Sequence, residues 1–245
     1  MRVFRYTLTL MDPLFYAREG LSGAITPRHL HATAINCAVA YILNIKPEEQ
    51  PYITSETNGG ANIPRYKNSK IADEFYLTPA RPKGNINYLP EIAKGDADGF
   101  ITLGFGGIKL KGRSISRPEV LKAYRLFFIP PETEFEGYLL EYKEITFPEL
   151  IRLGSFRGKA VLRLEEVRIV GKSNKGMVSH PVDPLVSKVV RGVMVNIFPY
   201  PVVENAVCEN CLQIREKGFE KFIALPYGKE PLPKNEKISP KIAII

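Results

Sequence analysis

Apolar and polar residues alternate over residues 2–11. Phe4, Tyr6, Leu8 and Leu10 fall on one side and Arg5, Thr7 and Thr9 on the other, the period of a half-buried strand. After the connector DPLFYAREGLSG the period changes. Thr26 and Pro27 are residue types favoured at a helix N-cap and first helical position, and the pattern predicts a helix to about Asn44, ahead of Pro47. Leu30, Ala34, Cys37, Ala38 and Tyr41 form one stripe of it, with Ile35, Val39 and Ile42 beside them, so a largely buried helix packed on a sheet is expected. Residues 46–118 lose this regularity. They carry Pro47, Pro51, Pro64, Pro79, Pro82, Pro90 and Pro118 and the pairs Gly59-Gly60 and Gly106-Gly107, with short strand-like pieces at 74–79 and 99–103. That composition reads as an extended hairpin or irregular insertion rather than a second core.

Regular patterning returns with strands at 121–129 and 136–143, a short helix at 147–153 (FPELIRL) and a strand at 158–170. Strand, helix, strand, strand, short helix, strand is the order of a split βαβ, ferredoxin-like α+β sandwich. Beyond Gly171 residues 183–207 are strand-like, which makes 171–245 a β-rich C-terminal extension. The Pro- and Lys-rich tail from Leu225 is expected to drape over the surface.

Composition narrows the class without changing this picture. The 245 residues are 44% hydrophobic and 24% charged, enough for one large core, and no internal repeat or disordered composition stands out. No run of 18 apolar residues occurs, and the opening MRVFRYTLTL lacks the apolar stretch of a signal peptide. With only Cys37, Cys208 and Cys211, the expectation is a cytoplasmic protein in a reducing compartment.

Charge changes the picture more. The net charge is +8, and its location matters. Residues 104–125 hold six bases and one acid, and residues 58–83 add a surplus of three, so the rest of the chain sums to zero. A concentrated, glycine-punctuated basic region suits a polyanion, because each neutralised phosphate releases counterions. A solubilising surface is the plainer alternative.

Two glycine-containing segments are candidate contacts. In RLGSFRGK, Gly154 and Gly158 permit close backbone approach, Arg152, Arg157 and Lys159 supply charge, and Phe156 is available to stack on a splayed base, with Ser155 beside it. The alternative is a plain helix-to-strand connection with Gly154 as C-cap and Phe156 folded inward. GFGGIKLKGR offers Lys109, Lys111 and Arg113 but matches neither a Walker A loop nor GxGxxG, so a flexible phosphate-touching loop competes with an ordinary hairpin tip. On the predicted helix His31 shares the face of Ile35 and Val39, whereas His29 lies on the polar stripe of Thr33 and Asn36, next to Arg28. Two residues apart, the histidines point about 200° from each other and cannot share a metal. A single CENC pair lacks the other two ligands of a structural zinc site, and no catalytic constellation appears. No cofactor is expected.

YTLTLMDPLFYAREGLSG, the helix after it, FYLTPARP at 75–82 and EITFPELIRLGSFRGKAVLRLEEV at 144–167 occur in that order. Together they resemble the Cas5-group subunit of type I-D CRISPR surveillance complexes (Cascade), a RAMP family built on RRM-like ferredoxin folds. The likeness covers roughly residues 4–170. It implies a single RAMP-type domain over 1–245 with a thumb-like insertion within 46–118. It also implies a non-catalytic subunit that grips the 5′ handle of crRNA and caps the filament of the backbone RAMP subunit. Such a subunit docks the large subunit near the end where the protospacer-adjacent motif (PAM) of target DNA is read. Carried over by position, Arg152, Gly154, Ser155, Phe156, Arg157 and Lys159 stand where such proteins place an RNA-contacting loop. Arg18 in FYAREG and Arg81 in TPARP fall inside the resembling motifs, and Arg28 and His29 complete the RNA-facing set. Lys109, Lys111 and Arg113 enter from charge alone. Two other readings stay open: a metal-independent endoribonuclease that processes repeat RNA with His29 or Tyr16 as acid and base, and an unrelated basic interaction module.

Overall fold

The computed structural model describes residues 1–16, 23–45, 71–94, 109–110, 113–114, 123–196, 201–227 and 229. In chain order the elements begin with β1 (Arg2–Leu10), β2 (Gly23–Ile25), α1 (Ala32–Ile42), α2 (Ile71–Glu74), β3 (Phe75–Leu77) and β4 (Arg81–Pro82). There follow β5 (Leu89–Lys94), β6 (Lys109–Leu110), β7 (Arg113–Ser114), β8 (Ala123–Phe128), β9 (Glu134–Glu141) and β10 (Leu150–Leu153). The chain continues through β11 (Gly158–Glu166), β12 (Arg168–Met177), β13 (Val189–Asn196), β14 (Val202–Glu216) and β15 (Phe219–Ala224). The architecture is mostly antiparallel β-sheet with few helices.

The main sheet runs β10-β11-β1-β9-β3, with β4 also paired to β9 and every pairing antiparallel. The alternation read at the N-terminus puts β1 at its centre. Tyr6, Leu8 and Leu10 are buried on the face that α1 covers, while Arg5, Thr7 and Thr9 line the opposite face. Part of that opposite face is covered too. Val3, Tyr138 and Leu140 share one core cluster with Val167, which leads into β12, and with Leu212, Ile214 and Ile223 from the second sheet, β12-β14-β13, whose β14 also pairs β15. A smaller sheet orders β2-β8-β5, and β6 pairs β7. Fully burying side chains such as Tyr6, Phe75 and Phe135 stabilises the fold by roughly 1.5–3 kcal/mol each.

Several sequence expectations are corrected. The helix does not begin at Thr26-Pro27. Residues 23–25 pair with β8, the Thr26 N–H donates to Phe127 O, and Leu30 exchanges hydrogen bonds with Ala80, so this backbone is engaged before the helix starts. His31 is the N-cap, its Nδ1 accepting from the Thr33 N–H at 3.1 Å. The buried face of α1 is Ala32, Ile35, Asn36, Val39 and Ala40, not the stripe through Ala34, Cys37 and Tyr41. Tyr41 is 78% exposed. Asn36, read as polar surface, donates to Ala32 O and Leu77 O and accepts from Leu77 N, which ties the helix to the edge strand β3.

The helix expected at 147–153 is β10. Leu150 and Arg152 are exposed while Ile151 and Leu153 are buried, a period of two, and pairing with β11 satisfies the backbone. A short apolar run does not distinguish the two periods by itself. Within 46–118, Ile71, Phe75, Tyr76, Leu77 and Ala80 belong to the main core, so that segment does not depart from the body as a whole. The piece expected at 99–103 lies outside the described residues. Strands at 123–128, 134–141 and 158–166 match the reading closely, whereas 183–207 resolves into a loop followed by β13 and the start of β14. The tail starts inside the fold, since Leu225 is buried and its N–H donates to Asn210 O.

Asn36→Ala leaves the Leu77 N–H and C=O without their partner in a buried setting. The variant is expected to lose about 1–3 kcal/mol in chemical denaturation with an unchanged denaturant slope.

Candidate functional site

The hairpin that joins β10 to β11 carries the candidate turn. Leu153 pairs with Gly158, and residues 154–157 form a four-residue loop closed by a hydrogen bond from Arg157 N–H to Gly154 O at 3.1 Å. Gly154 adopts φ +78°, and a Cβ there would meet Phe15 O at 2.7 Å and Leu14 Cδ1 at 2.8 Å. The glycine therefore lets the turn lie directly against the segment after β1. Ser155 N–H donates to Phe15 O at 2.7 Å, and Lys159 N–H donates to the Asp12 carboxylate at 2.9 Å, which pins the loop at both ends. Arg157 sits at φ +53°, a left-handed conformation that non-glycine residues seldom adopt.

This anchoring presents one consistent surface. Arg152, Ser155, Phe156, Arg157 and Lys159 are exposed, and among the described residues no carboxylate pairs with Arg152, Arg157 or Lys159. Phe156 is 66% exposed yet backed by two buried rings, stacking on Phe15 at 5.8 Å and 24° and on Phe128 at 5.9 Å and 17°. Its position settles the alternative of an inward-folded phenylalanine. The ring stands outward on an aromatic base.

From the turn, the uncovered face of the main sheet continues the same surface. Strand register puts Arg152, Lys159, Arg163, Arg5, Arg81 and Lys83 on it, against Glu134, Glu136 and Glu165: six cations and three carboxylates. Glu136 accepts from Arg81 and Arg5, and Glu134 from Lys83. Hydrogen bonding by Lys83, then its charge, holds the Glu134 carboxyl below its usual value. Arg163, Lys83 and Arg5 were missed by sequence reasoning, although the alternation through KAVLRLEE already aligned Lys159 with Arg163. The backing rings Phe15 and Phe128 left no such signal.

Arg81 is on this face, at its far edge and tied to Glu136. Arg28 is exposed beside Tyr88, whose hydroxyl donates to Thr26 O. His29 precedes the helix, is buried, and its Nε2 lies 2.9 Å from Glu204 of β14, so the reading of a free histidine on a polar stripe is corrected. Lys109 and Arg113 fall on β6 and β7, a two-stranded pair in which Lys109 opposes Ser114 and Leu110 opposes Arg113. Arg18 and Lys111 lie outside the described residues, as do residues 58–70 and 115–122 of the basic stretches. Burial pushes the Tyr16 phenol well above its ordinary value, which keeps its proton on.

The CENC pair is core packing. Asn205 and Asn210 take positive φ within β14, and Cys208 and Cys211 face the same small cluster despite an odd spacing. Both are free thiols, and burial pushes them up to about 12 and about 11. Among the described residues no His/Cys/Asp/Glu group is arranged to hold a metal ion. None of the described helices is long and apolar enough to cross a membrane.

The profile of the family described as Type I-D CRISPR-associated protein Cas5/Csc1 matches residues 1–233. The chain belongs to the type I-D Cas5/Csc1 family. The match runs through β15, so the C-terminal sheet, which the sequence resemblance left unplaced beyond about residue 170, is part of the Cas5/Csc1 body. No curated protein matches the chain. Among solved structures it is similar to a chain of the type III-B Cmr-beta complex bound to cognate target RNA and AMPPnP, at 11% identity over 84% of this chain and 86% of that one, with TM-score 0.41. It is also similar to Pyrococcus furiosus Cmr4 (Cas7), at 10% identity over 68% and 100% of the two chains, TM-score 0.31. A chain of a type IV-B CRISPR complex matches at 7% identity over 66% and 90%, TM-score 0.35.

Two outcomes follow from this geometry. Gly154→Ala combines a strained φ with a 2.7 Å approach to backbone and is expected to cost about 1–3 kcal/mol, read as a lowered thermal midpoint. His180 is buried and its imidazole is pushed down from 6.5 to about 4, chiefly by burial. The unfolded chain therefore takes up its proton first: the stability this histidine contributes is complete above pH 6.5 and is lost as pH falls through about 4. Its ring resonances should not titrate between pH 7 and 5 in a histidine NMR titration.

Proposed function

We propose that this Cas5/Csc1 chain is a non-catalytic, cytoplasmic subunit of a type I-D CRISPR effector complex that grips the 5′ handle of crRNA. In this reading it caps the filament of the backbone RAMP subunit and docks the large subunit near the end where the PAM of target DNA is read. The observation that carries the RNA-binding part is the pinned 154–157 loop. Phe156 stands outward on a stacked aromatic base, flanked by three cations without a carboxylate partner among the described residues. A π-face offers stacking to any base, and Arg and Lys beside it offer contacts to the phosphates on either side.

The strand order 158–166, 2–10, 134–141, 75–77 supports an RRM-like ferredoxin core in which β10 stands where the second helix of that fold is expected. A thumb-like insertion then belongs to the part of 46–118 outside the core strands, and the extension to 171–245. One observation favours a binding role over ribonuclease chemistry: His29 is buried and engaged by Glu204 rather than turned to the loop surface.

The test is binding of the full chain to a labelled handle RNA and a full repeat RNA without metal, read at several salt concentrations for mobility and RNA length. Replacing Arg152, Arg157 and Lys159 together by Ala is expected to weaken binding and to reduce the salt slope by about one per lost phosphate contact. Phe156→Ala is expected to cost about 1–3 kcal/mol of affinity with the slope unchanged. Unaltered affinity and slope in the triple variant would remove the loop from the interface. Shortened RNA, abolished by His29→Ala, would establish the endoribonuclease instead.

A further inference from the structure

A cleft of about 190 Å³ opens where the second sheet meets the outer face of the main sheet, at the opposite end of that face from the glycine loop. One water occupies ~30 Å³ of liquid, so the cleft has room for a phosphate group with part of its hydration. Arg5, Arg81, Lys217 and Lys221 line it, against Glu136 and Glu216, so four cations face two carboxylates. His180 also lines it and adds no positive charge near neutrality, because burial holds its imidazole neutral, with Nδ1 against Pro181 O and Nε2 accepting from Ala224 N–H.

The two carboxylates are already saturated. Glu216 accepts from Tyr138 Oη at 2.8 Å and Lys221 Nζ at 2.7 Å, and pairs with Arg5 at 3.0 Å. Burial pushes the Glu216 carboxyl up, but hydrogen bonds from Lys221 and Tyr138 and the charges of Lys221 and Arg5 outweigh it and hold the group ionised below its usual value. Glu136 is shared by Arg5 and Arg81. The acids therefore organise the cleft, while donors on the cations stay available. Lys221 carries three N–H donors and directs one of them to Glu216, and Lys217 pairs with no carboxylate among the described residues.

Lys217 is also held there at a conformational cost. It and Gly218 form the two-residue β14–β15 turn with φ +49° and +84°, both left-handed, the pattern of a type I′ hairpin. Asn or Gly is the ordinary choice at the first of these positions. A lysine in that conformation at the rim of a cationic cleft parallels Arg157 in the glycine loop: each end of the sheet face carries a basic residue with positive φ. Between them, from Lys159 to Glu165 opposite Arg5, six residue steps of β11 span about 20 Å, with Arg163 two-thirds of the way along.

We propose that this cleft holds a backbone phosphate of a nucleic-acid strand, with Lys217 and Lys221 as its contacts and Arg5 and Arg81 as supporting charge. The strand runs along the outer sheet face from the glycine loop. The inference rests on the reading that the chain binds nucleic acid, and the phosphate belongs either to RNA or to DNA.

Full-chain protein carrying Lys217→Asn tests this directly, because Asn suits the left-handed turn and should preserve or raise the thermal midpoint while removing the charge. Affinity for oligouridylate and for oligothymidylate of equal length is measured as a function of salt, beside Lys217→Arg, Lys217→Glu and the triple loop variant. The expected result is roughly fivefold weaker binding at low salt and a slope lower by about one for Lys217→Asn, a larger loss for Lys217→Glu, and retention for Lys217→Arg. An effect on oligouridylate assigns the phosphate to RNA, and one confined to oligothymidylate assigns it to DNA. If Lys217→Asn and Lys217→Glu bind both probes like the parent while the loop variant is impaired, the cleft is not a phosphate site and the loop reading stands. If the parent binds neither probe, both readings fall together.

Discussion

The constraint on which the rest depends is the two-sided pairing of β1. With β9 on one edge and β11 on the other, each successive side chain of β1 is assigned to one of two faces. Tyr6, Leu8 and Leu10 go to the core, and Tyr6 additionally donates to Thr78 O, which locks the β3–β4 connection to the centre of the sheet. Arg5, Thr7 and Thr9 are left on a face that α1 cannot reach. A one-residue slip would invert both sets, burying Arg5 and exposing Tyr6, so register here decides the core and the basic surface together.

Electrostatics then divides that basic surface into a joint and an open track. Near the second sheet, Arg5 bridges Glu136 of β9 and Glu216 of β14. These are structural pairs: charges in a partly desolvated setting each need the other, and removing one strands its partner. Toward the glycine loop no carboxylate forms an ion pair with Arg163, Lys159, Arg152 or Arg157 among the described residues, the Asp12 carboxylate there being taken by a backbone N–H. The same strand thus supplies a joint that holds two sheets together at one end and a surface that faces a polyanion at the other.

Legibility in the sequence followed the range of the interaction involved. The β1 alternation, the strands at 123–128, 134–141 and 158–166 and the loop RLGSFRGK depend on neighbours in sequence, and they were readable. The start of α1 was not. Its boundary is set by hydrogen bonds from Thr26 to Phe127 and between Leu30 and Ala80, partners some 50 to 100 residues away. Nor was the choice of β10 over a helix, where four residues suit either period and pairing with β11 decides. Net charge located only part of the basic surface. Summed along the chain, the excess lay at 58–83 and 104–125, yet Arg5, Arg152, Lys159 and Arg163 from outside those windows join Arg81 and Lys83 on one sheet face, because alternation sorts charge by parity rather than by segment.

Composition, periodicity and the ordered motifs by themselves determined an N-terminal strand with its alternating faces, further strands around it, a glycine-turn with three cations and one phenylalanine, and family membership, whereas the balance of an α+β body shifted to mostly antiparallel sheet in the fold. Tertiary structure alone decided that Phe156 points outward on Phe15 and Phe128, that His29 turns to Glu204, and that two cysteines three apart share one apolar cluster. Each of these needs a partner contributed by a distant segment, which local pattern does not encode. The sequence specifies which faces and turns exist, and packing between remote strands specifies what each side chain on them meets.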